Sequence, residues 1–158
     1  KMAKKTIKAD QIRKLRDESG APVIRVKKVL EEFDGDEKKA LEVLKKEGFE
    51  KMAKREGRET SQGLVQVYSH HSGKVASVVE LLCETDFVAK NELFQALAND
   101  LTLQVASMGD KDLEEQDFIK DPSKKIKDLV KDVIVKTGEN IKIGRTFRVE
   151  LGEDTPSK

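Results

Sequence analysis

The sequence has little of what membrane proteins, disulfide-rich secreted proteins and aromatic-rich binding domains share. Among 158 residues there is no tryptophan, one tyrosine, one cysteine and three prolines. The single cysteine, Cys83, excludes an internal disulfide and fits a reducing compartment. No apolar run approaches the roughly 20 residues that a membrane-spanning helix needs, and the first residues contain no apolar signal segment. We therefore expect a cytoplasmic protein that has no contact with a membrane.

The motifs of catalytic and metal sites are also missing. A Walker-type phosphate loop needs the pattern Gly-x-x-x-x-Gly-Lys-Ser/Thr, and residues 72–75 lack its first glycine and its hydroxyl. The two histidines, His70 and His71, are adjacent in a predicted turn, so they cannot form the i, i+4 metal pair of a helix. Cys83 ends an apolar run and is predicted to pack as a small apolar side chain, not to react as a nucleophile. We expect no enzyme, no cofactor and no metal site.

Charge is what the sequence has in abundance, since 39% of the residues are charged and the net charge is only +1. Residues 1–58 carry 18 Lys and Arg against 12 Asp and Glu, whereas residues 59–158 carry 13 against 18. Basic runs such as residues 51–55 lack interleaved aromatic side chains, so we interpret them as solvated and predict no nucleic-acid partner. Opposite charges on two modules can steer a protein partner that has both signs on its surface.

The first 48 residues predict three short helices, because apolar residues recur at helical spacing between turn residues. The apolar stripes are Ala9, Ile12 and Leu15, then Val26, Val29, Leu30 and Phe33, then Ala40, Leu41 and Leu44. Gly20 and Gly48 are predicted to end the first and third helices, Pro22 to lie in the first turn of the second, and Asp36 to cap the third. Such a bundle is typical of ubiquitin-associated domains, and its small core suits a docking unit. A charged linker is predicted over residues 49–63.

Residues 64–152 predict an α+β domain, and residues 153–158 a tail. Two strands, 64–68 and 75–83, are joined by a predicted hairpin turn at residues 70–73. One helix is expected to run to about Met108, and another to begin at residues 121–123 and end at Gly138. Apolar residues then alternate with charged ones in the pattern of a half-buried strand, namely Phe147, Val149 and Leu151 with Arg148 and Glu150. This order fits an antiparallel three-stranded sheet covered by two helices.

The candidate functional site lies at residues 85–91, where the period changes from strand to helix. Thr85 or Asp86 can cap the following helix by accepting a hydrogen bond from a free backbone N–H. Phe87 stands at the rim of this strand–helix corner, where an aromatic side chain either folds into the core or projects into a partner. From the residues alone, the core position is favoured.

With its flanks at residues 79–80 and 83–84, this heptapeptide resembles the signature of the elongation factor Ts family. Segments elsewhere resemble the same family in the right order along nearly the whole chain. They are residues 26–31, 35–36 and 40–44 in the opening module, 53–63 in the linker, 68–75 in the first hairpin, and 118–124 with 138–141 near the end. The agreement of several separate segments is what gives the resemblance its weight.

The resemblance implies that the chain acts on another protein and promotes the release of GDP from elongation factor Tu. By similarity, Phe87 inserts into an apolar pocket of that GTPase near its magnesium site, and Asp86 forms a hydrogen bond close by. Thr85 and Val88 are then the residues that support the corner. The competing interpretation is a non-catalytic interaction module, which binds a GTPase without accelerating nucleotide release.

The resemblance also implies that the N-terminal bundle holds the nucleotide-binding domain of the GTPase, with Arg25, Lys27 and Lys28 as candidate docking residues. Family members often have an acid at the position of Arg25, so the local charge is inverted here. Longer members carry a much larger segment between the counterparts of Met108 and Phe118. The chain thus resembles short forms that have one core module, lack a helical subdomain and a second core repeat, and can pair as homodimers.

Overall fold

The computed structural model describes residues 6–153, which fall into two compact units. One unit comprises the residues up to Gly57 together with Ile134–Gly138, and the other comprises Arg58–Val133 with the residues from Glu139 onward. Within the described range there are helices and an antiparallel three-stranded sheet, so the predicted α+β class is confirmed. Of the predicted tail at residues 153–158, all but Glu153 lies outside the described residues.

The first unit is built on three helices, α1 (Ala9–Ser19), α2 (Val23–Glu32) and α3 (Glu37–Ala53). Their apolar stripes meet in one small core, in which each residue is at most 1% exposed: Leu15, Val26, Val29, Leu30, Ala40 and Leu44. Burying a Val or Leu side chain contributes about 1.5–3 kcal/mol, so this core holds the helices together only while most of its members stay in place.

The predicted helix boundaries of this unit are right at two positions and wrong at two, since Pro22 precedes α2 as its N-cap residue and does not lie in its first turn. Gly20 ends α1 in a left-handed conformation, with φ +68°, and Asp36 caps α3 by accepting the amides of the two lysines that follow Glu37. Gly48 does not end α3, which continues to Ala53. An added Cβ at Gly48 would lie 3.0 Å from Val135 Cγ1, so a close approach accounts for this glycine.

The second unit contains an antiparallel sheet in the order β1-β2-β5, formed by β1 (Gln62–Ser69), β2 (Val75–Cys83) and β5 (Lys142–Glu150). The remaining elements of the chain are α4 (Asp86–Ala89), α5 (Glu92–Met108), a 3₁₀ turn (Leu113–Glu115), β3 (Asp117–Phe118), β4 (Asp121–Lys125) and α6 (Ile126–Thr137). Strands β3 and β4 pair with each other in a small second sheet. The hairpin predicted between β1 and β2 is confirmed.

Two helix predictions in the second unit are wrong. The single helix expected after β2 is divided into α4 and α5, because Asn91 caps a new helix by accepting the amide of Leu93 at 2.8 Å. Residues 121–123 do not begin a helix, since they lie in β4 and the helix begins at Ile126. There the Asp121 side chain accepts hydrogen bonds from the amide and hydroxyl of Ser123, which stabilise a non-helical backbone at these residues.

The main sheet buries one face and leaves the other uncovered within the described residues. Val79, Leu81 and Cys83 of β2 are fully buried on the face that carries α5. On the opposite face the side chains of Phe147 and Val149 are 58% and 70% exposed, so the apolar side of β5 points away from the core. The prediction of a strand at β5 is confirmed, but the expectation that its apolar side is the buried side is wrong.

No helix among the described residues is both long enough and apolar enough to span a bilayer.

Candidate functional site

The corner between β2 and α5 is fixed by its backbone and by a capping hydroxyl. Thr85 has extended torsions, φ −127° and ψ 157°, and precedes the four-residue helix α4. Its side-chain oxygen accepts the amide of Val88 at 3.4 Å, so the predicted cap is Thr85 and not Asp86. Val88 is 9% exposed and anchors the corner to the core of the second unit.

A distant carboxylate also holds the same threonine. The backbone N–H of Thr85 donates to Glu139 Oε1 at 2.9 Å, and its hydroxyl donates to Glu139 Oε2 at 2.6 Å. These two bonds leave the Thr85 hydroxyl oxygen able to accept from the Val88 amide at the same time. The corner is therefore tied both to its own helix and to a segment 54 residues further along the chain.

Phe87 projects into solvent from this fixed corner. Its side chain is 81% exposed, so the core position that the residues alone favoured is wrong. Asp86 is also exposed, and its carboxylate lies 3.1 Å from Lys90 Nζ in an i, i+4 pair. A solvated pair of this kind is weak, so Asp86 can exchange Lys90 for another donor at little cost.

Cys83 lies directly below the corner and is fully buried, as predicted. Burial and, to a smaller extent, the nearby negative charge of Glu139 together raise the pKa of its thiol to about 11. A thiol with this pKa is almost entirely protonated at neutral pH, so it packs as an apolar group and does not act as a nucleophile.

The three docking residues predicted on α2 differ in their contacts within the chain. Arg25 donates from Nε to Glu47 Oε2 at 2.9 Å and from Nη2 to the other oxygen of the same carboxylate, so it ties α2 to α3. Lys27 and Lys28 are exposed on the surface of the helix. Ile24 was not among the predicted docking residues, and it is 83% exposed one turn before the two lysines. The sequence contains the information needed to predict this exposure, because Ile24 is apolar and falls outside the apolar stripe of α2.

No cluster of three or more potential metal ligands occurs among residues 6–153. The two histidines lie in the β1–β2 turn, where His70 Nδ1 is 2.8 Å from Ser72 Oγ and the two imidazole rings are 4.1 Å apart. These contacts shape the turn.

Comparison with known proteins places the chain in one family. The family model for elongation factor Ts matches residues 84–157. An elongation factor Ts of Thermotoga neapolitana is 36% identical, over 94% of this chain and 98% of the relative. The chain belongs to the elongation factor Ts family. An elongation factor Ts of Maridesulfovibrio salexigens is 37% identical over 93% of the chain and 95% of the relative, and one of Herpetosiphon aurantiacus is 34% identical over 94% of the chain and all of the relative.

The family match begins within the corner itself, at Glu84, and includes Glu139. The alignment with the Thermotoga neapolitana elongation factor Ts runs over 194 positions, whereas this chain has 158 residues, so at least 36 aligned positions have no counterpart here. This chain is therefore shorter than that relative within the aligned region.

Proposed function

We propose that the chain is a cytoplasmic exchange factor that promotes the release of GDP from elongation factor Tu. One observation carries the proposal within the family assignment: Phe87 is 81% exposed on a corner whose backbone is held by hydrogen bonds. An exposed aromatic side chain on a fixed backbone is suited to insertion into a partner, because little conformational freedom remains to be lost on binding. No cofactor takes part, since the chain acts on a nucleotide that the partner holds.

The inserted side chain supplies the energy for exchange. A buried aromatic anchor contributes about 2–4 kcal/mol at an interface, and about 4 kcal/mol corresponds to a thousandfold change in an equilibrium constant. That energy favours exchange only if Phe87 is buried in the state of the GTPase whose magnesium and phosphate contacts are loosened. Asp86 then forms a hydrogen bond close to the same site, and Thr85 and Val88 hold the corner in place.

The helical bundle over residues 1–48 acts as a separate docking domain in this proposal. Ile24 offers an exposed apolar contact on α2, and Lys27 and Lys28 lie one turn further along the same helix. Because Arg25 is engaged with Glu47, the docking role assigned to it passes to Ile24.

A homodimer through the uncovered face of the sheet is also proposed. Two adjacent cross-strand rows on this face contain no charged residue, namely Val67–Val78–Phe147 and Ser69–Ala76–Val149. Beside them Glu80 and Arg145 pair at 2.8 Å, so neither of these two charges is left uncompensated next to the apolar rows. A flat, self-complementary apolar patch is what a two-fold symmetric interface needs.

Nucleotide release tests the proposed function. The rate of fluorescent GDP release from elongation factor Tu is measured at increasing concentrations of the chain, and binding is measured in parallel by titration calorimetry. We expect saturable acceleration of release. Binding without acceleration would favour the non-catalytic interaction module instead.

Sedimentation equilibrium tests the homodimer. The native chain is expected to be dimeric at micromolar concentration, and Phe147→Asp is expected to be monomeric with an unchanged circular dichroism spectrum. The control is Leu93→Asp, at an exposed position on α5, which should stay dimeric. A monomeric native chain would remove the homodimer from the proposal.

A further inference from the structure

Two glutamates join the corner to a segment that is remote in the sequence. Glu139 accepts the amide of Glu84 at 3.1 Å in addition to its two bonds from Thr85. In return, the carboxylate of Glu84 accepts the amide of Asn140 at 2.9 Å. Each glutamate thus receives a backbone N–H from the segment that carries the other, across 54 to 56 positions of sequence.

Further contacts stabilise this exchange of hydrogen bonds. The side-chain amide of Asn140 donates to the carbonyl of Arg58 at 2.8 Å, and Arg58 Nη1 lies 3.6 Å from Glu84 Oε1. The carboxylate of Glu84 is largely shielded, with 18% of its side chain exposed. Charge-assisted bonds in a partly shielded site are stronger than those between neutral groups, so this network can fix a backbone.

The network ends two residues before Phe87. Glu139 holds both the N–H and the hydroxyl of Thr85, and that hydroxyl in turn receives the amide of Val88. Phe87 lies between these two fixed points and is 81% exposed, so the neighbouring hydrogen bonds constrain its backbone more than packing of its ring does. A side chain held in this way reaches its partner with most of its ordering already complete.

We propose that Glu139 is a positioning residue, which presents Phe87 to the GTPase by holding Thr85. The inference rests on the proposed function, because it depends on Phe87 acting in nucleotide release. Glu139 acts through Thr85 and needs no contact with the partner. Its loss should therefore lower the maximal rate of release and leave docking largely unchanged.

A double-mutant cycle tests this coupling. Glu139→Ala is prepared in the native chain and in Phe87→Ala, and the maximal rate of stimulated GDP release and the half-saturating concentration are measured for each. In the native chain we expect a maximal rate about tenfold lower, with the half-saturating concentration changed by less than about threefold. In the Phe87→Ala background the same substitution should lower the rate by less than about twofold, because there is no longer a side chain to position.

Two variants and one structural readout accompany the cycle. Glu139→Gln keeps one acceptor oxygen and is expected to recover part of the lost rate. Asp121→Ala is the control, because the Asp121 carboxylate accepts hydrogen bonds from the amide and hydroxyl of Ser123 and from no residue of the corner. It should leave the rate unchanged. Hydrogen exchange of the Glu84 and Thr85 amides should become faster in Glu139→Ala and stay slow in Asp121→Ala.

The possible failures are distinguishable. A native chain that does not accelerate release overturns the proposed function and, with it, the positioning role. If the native chain accelerates release and Glu139→Ala lowers the maximal rate by the same factor in both backgrounds, only the positioning role is overturned. Unchanged exchange of the Glu84 and Thr85 amides in Glu139→Ala also overturns it, whatever the rates.

Discussion

The corner at Thr85 and the start of α2 each expose one large apolar side chain, but they hold it in different ways. Phe87 is 81% exposed and Ile24 is 83% exposed. The backbone two residues before Phe87 is fixed by hydrogen bonds that Thr85 donates to Glu139, 54 residues further along the chain. Ile24 instead lies in the first turn of a helix whose opposite side, with Val26, Val29 and Leu30, is fully buried.

This difference indicates that the two side chains act on different properties of the complex with the partner, namely the rate of nucleotide release and the affinity. A side chain whose direction is set by a network of hydrogen bonds is suited to act in one state of the partner, which changes the rate of a step. A side chain displayed on an amphipathic helix is suited to bind all states alike, which changes affinity alone. Comparison of the maximal rate with the half-saturating concentration separates these two roles.

The largest effect is expected from Phe87→Ala. Loss of about 2–3 kcal/mol of anchoring energy should lower the maximal rate of GDP release from elongation factor Tu about 30- to 150-fold. The half-saturating concentration should change much less. Met108→Ala, which truncates another exposed apolar side chain, serves as the control and should retain the native rate. A loss of affinity at an unchanged maximal rate would place Phe87 with Ile24 as a docking residue.

A smaller effect is expected from Ile24→Ala, because only part of an isoleucine side chain is lost. Removal of about 1 kcal/mol of contact should raise the half-saturating concentration about fivefold and leave the maximal rate as it is. The measurement is the same titration of stimulated GDP release. If the maximal rate falls instead, the difference between the corner and α2 disappears.

Charge reversal at Lys27 and Lys28 should act on association. The double variant Lys27→Glu, Lys28→Glu is expected to lower the association rate constant about threefold to tenfold at low salt, and less as salt is added. Stopped-flow mixing with elongation factor Tu at several ionic strengths measures this. The control is Lys45→Glu, which reverses one charge of the same unit on α3 instead of α2. It measures how much any charge reversal in this unit changes the association rate constant. An equal loss at every ionic strength would argue against steering.

Sequence reasoning predicted α2 better than it predicted the corner, for a physical reason. The stripe of Val26, Val29 and Leu30 is a local pattern, and the core it predicted is the core observed. The cap at Thr85 also depends on neighbouring residues alone, and Thr85 was one of the two caps predicted, with Asp86. The orientation of Phe87 was not predictable from its neighbours, because it depends on Glu139, whose hydrogen bonds to Thr85 exist only once the chain has folded.

The same limit explains the errors elsewhere in the chain. A glycine such as Gly48 often ends a helix. Here its lack of a side chain leaves room for Val135, which is far away in the sequence. The alternation in β5 correctly predicted a strand, but alternation does not say which face of a sheet is covered. Val149 is therefore exposed where a core position was expected. In both cases the outcome depends on how distant segments pack, which a local pattern does not contain.

The smallest effect is expected from Arg25→Gln, and it tests whether this arginine belongs to the fold or to docking. Hydrogen bonds from Arg25 hold the pKa of Glu47 below its ordinary value of 4.5. A carboxyl whose pKa is lowered by folding contributes stability above its unfolded pKa, and that contribution disappears as the pH falls through the folded value. Because both side chains are 30% exposed, the urea midpoint at pH 7 should fall by only about 0.3 M.

The pH dependence makes this prediction specific. The difference in midpoint between the native chain and Arg25→Gln, followed by far-ultraviolet circular dichroism, should shrink as the pH is lowered below about 4.5. Lys14→Gln, which removes the exposed Lys14–Glu37 pair of the same unit, provides a comparison for the size of the effect. The half-saturating concentration for GDP release should be unchanged in Arg25→Gln. A rise as large as that of Ile24→Ala would return Arg25 to the docking surface, and α2 would then bind its partner through charge as well as apolar contact.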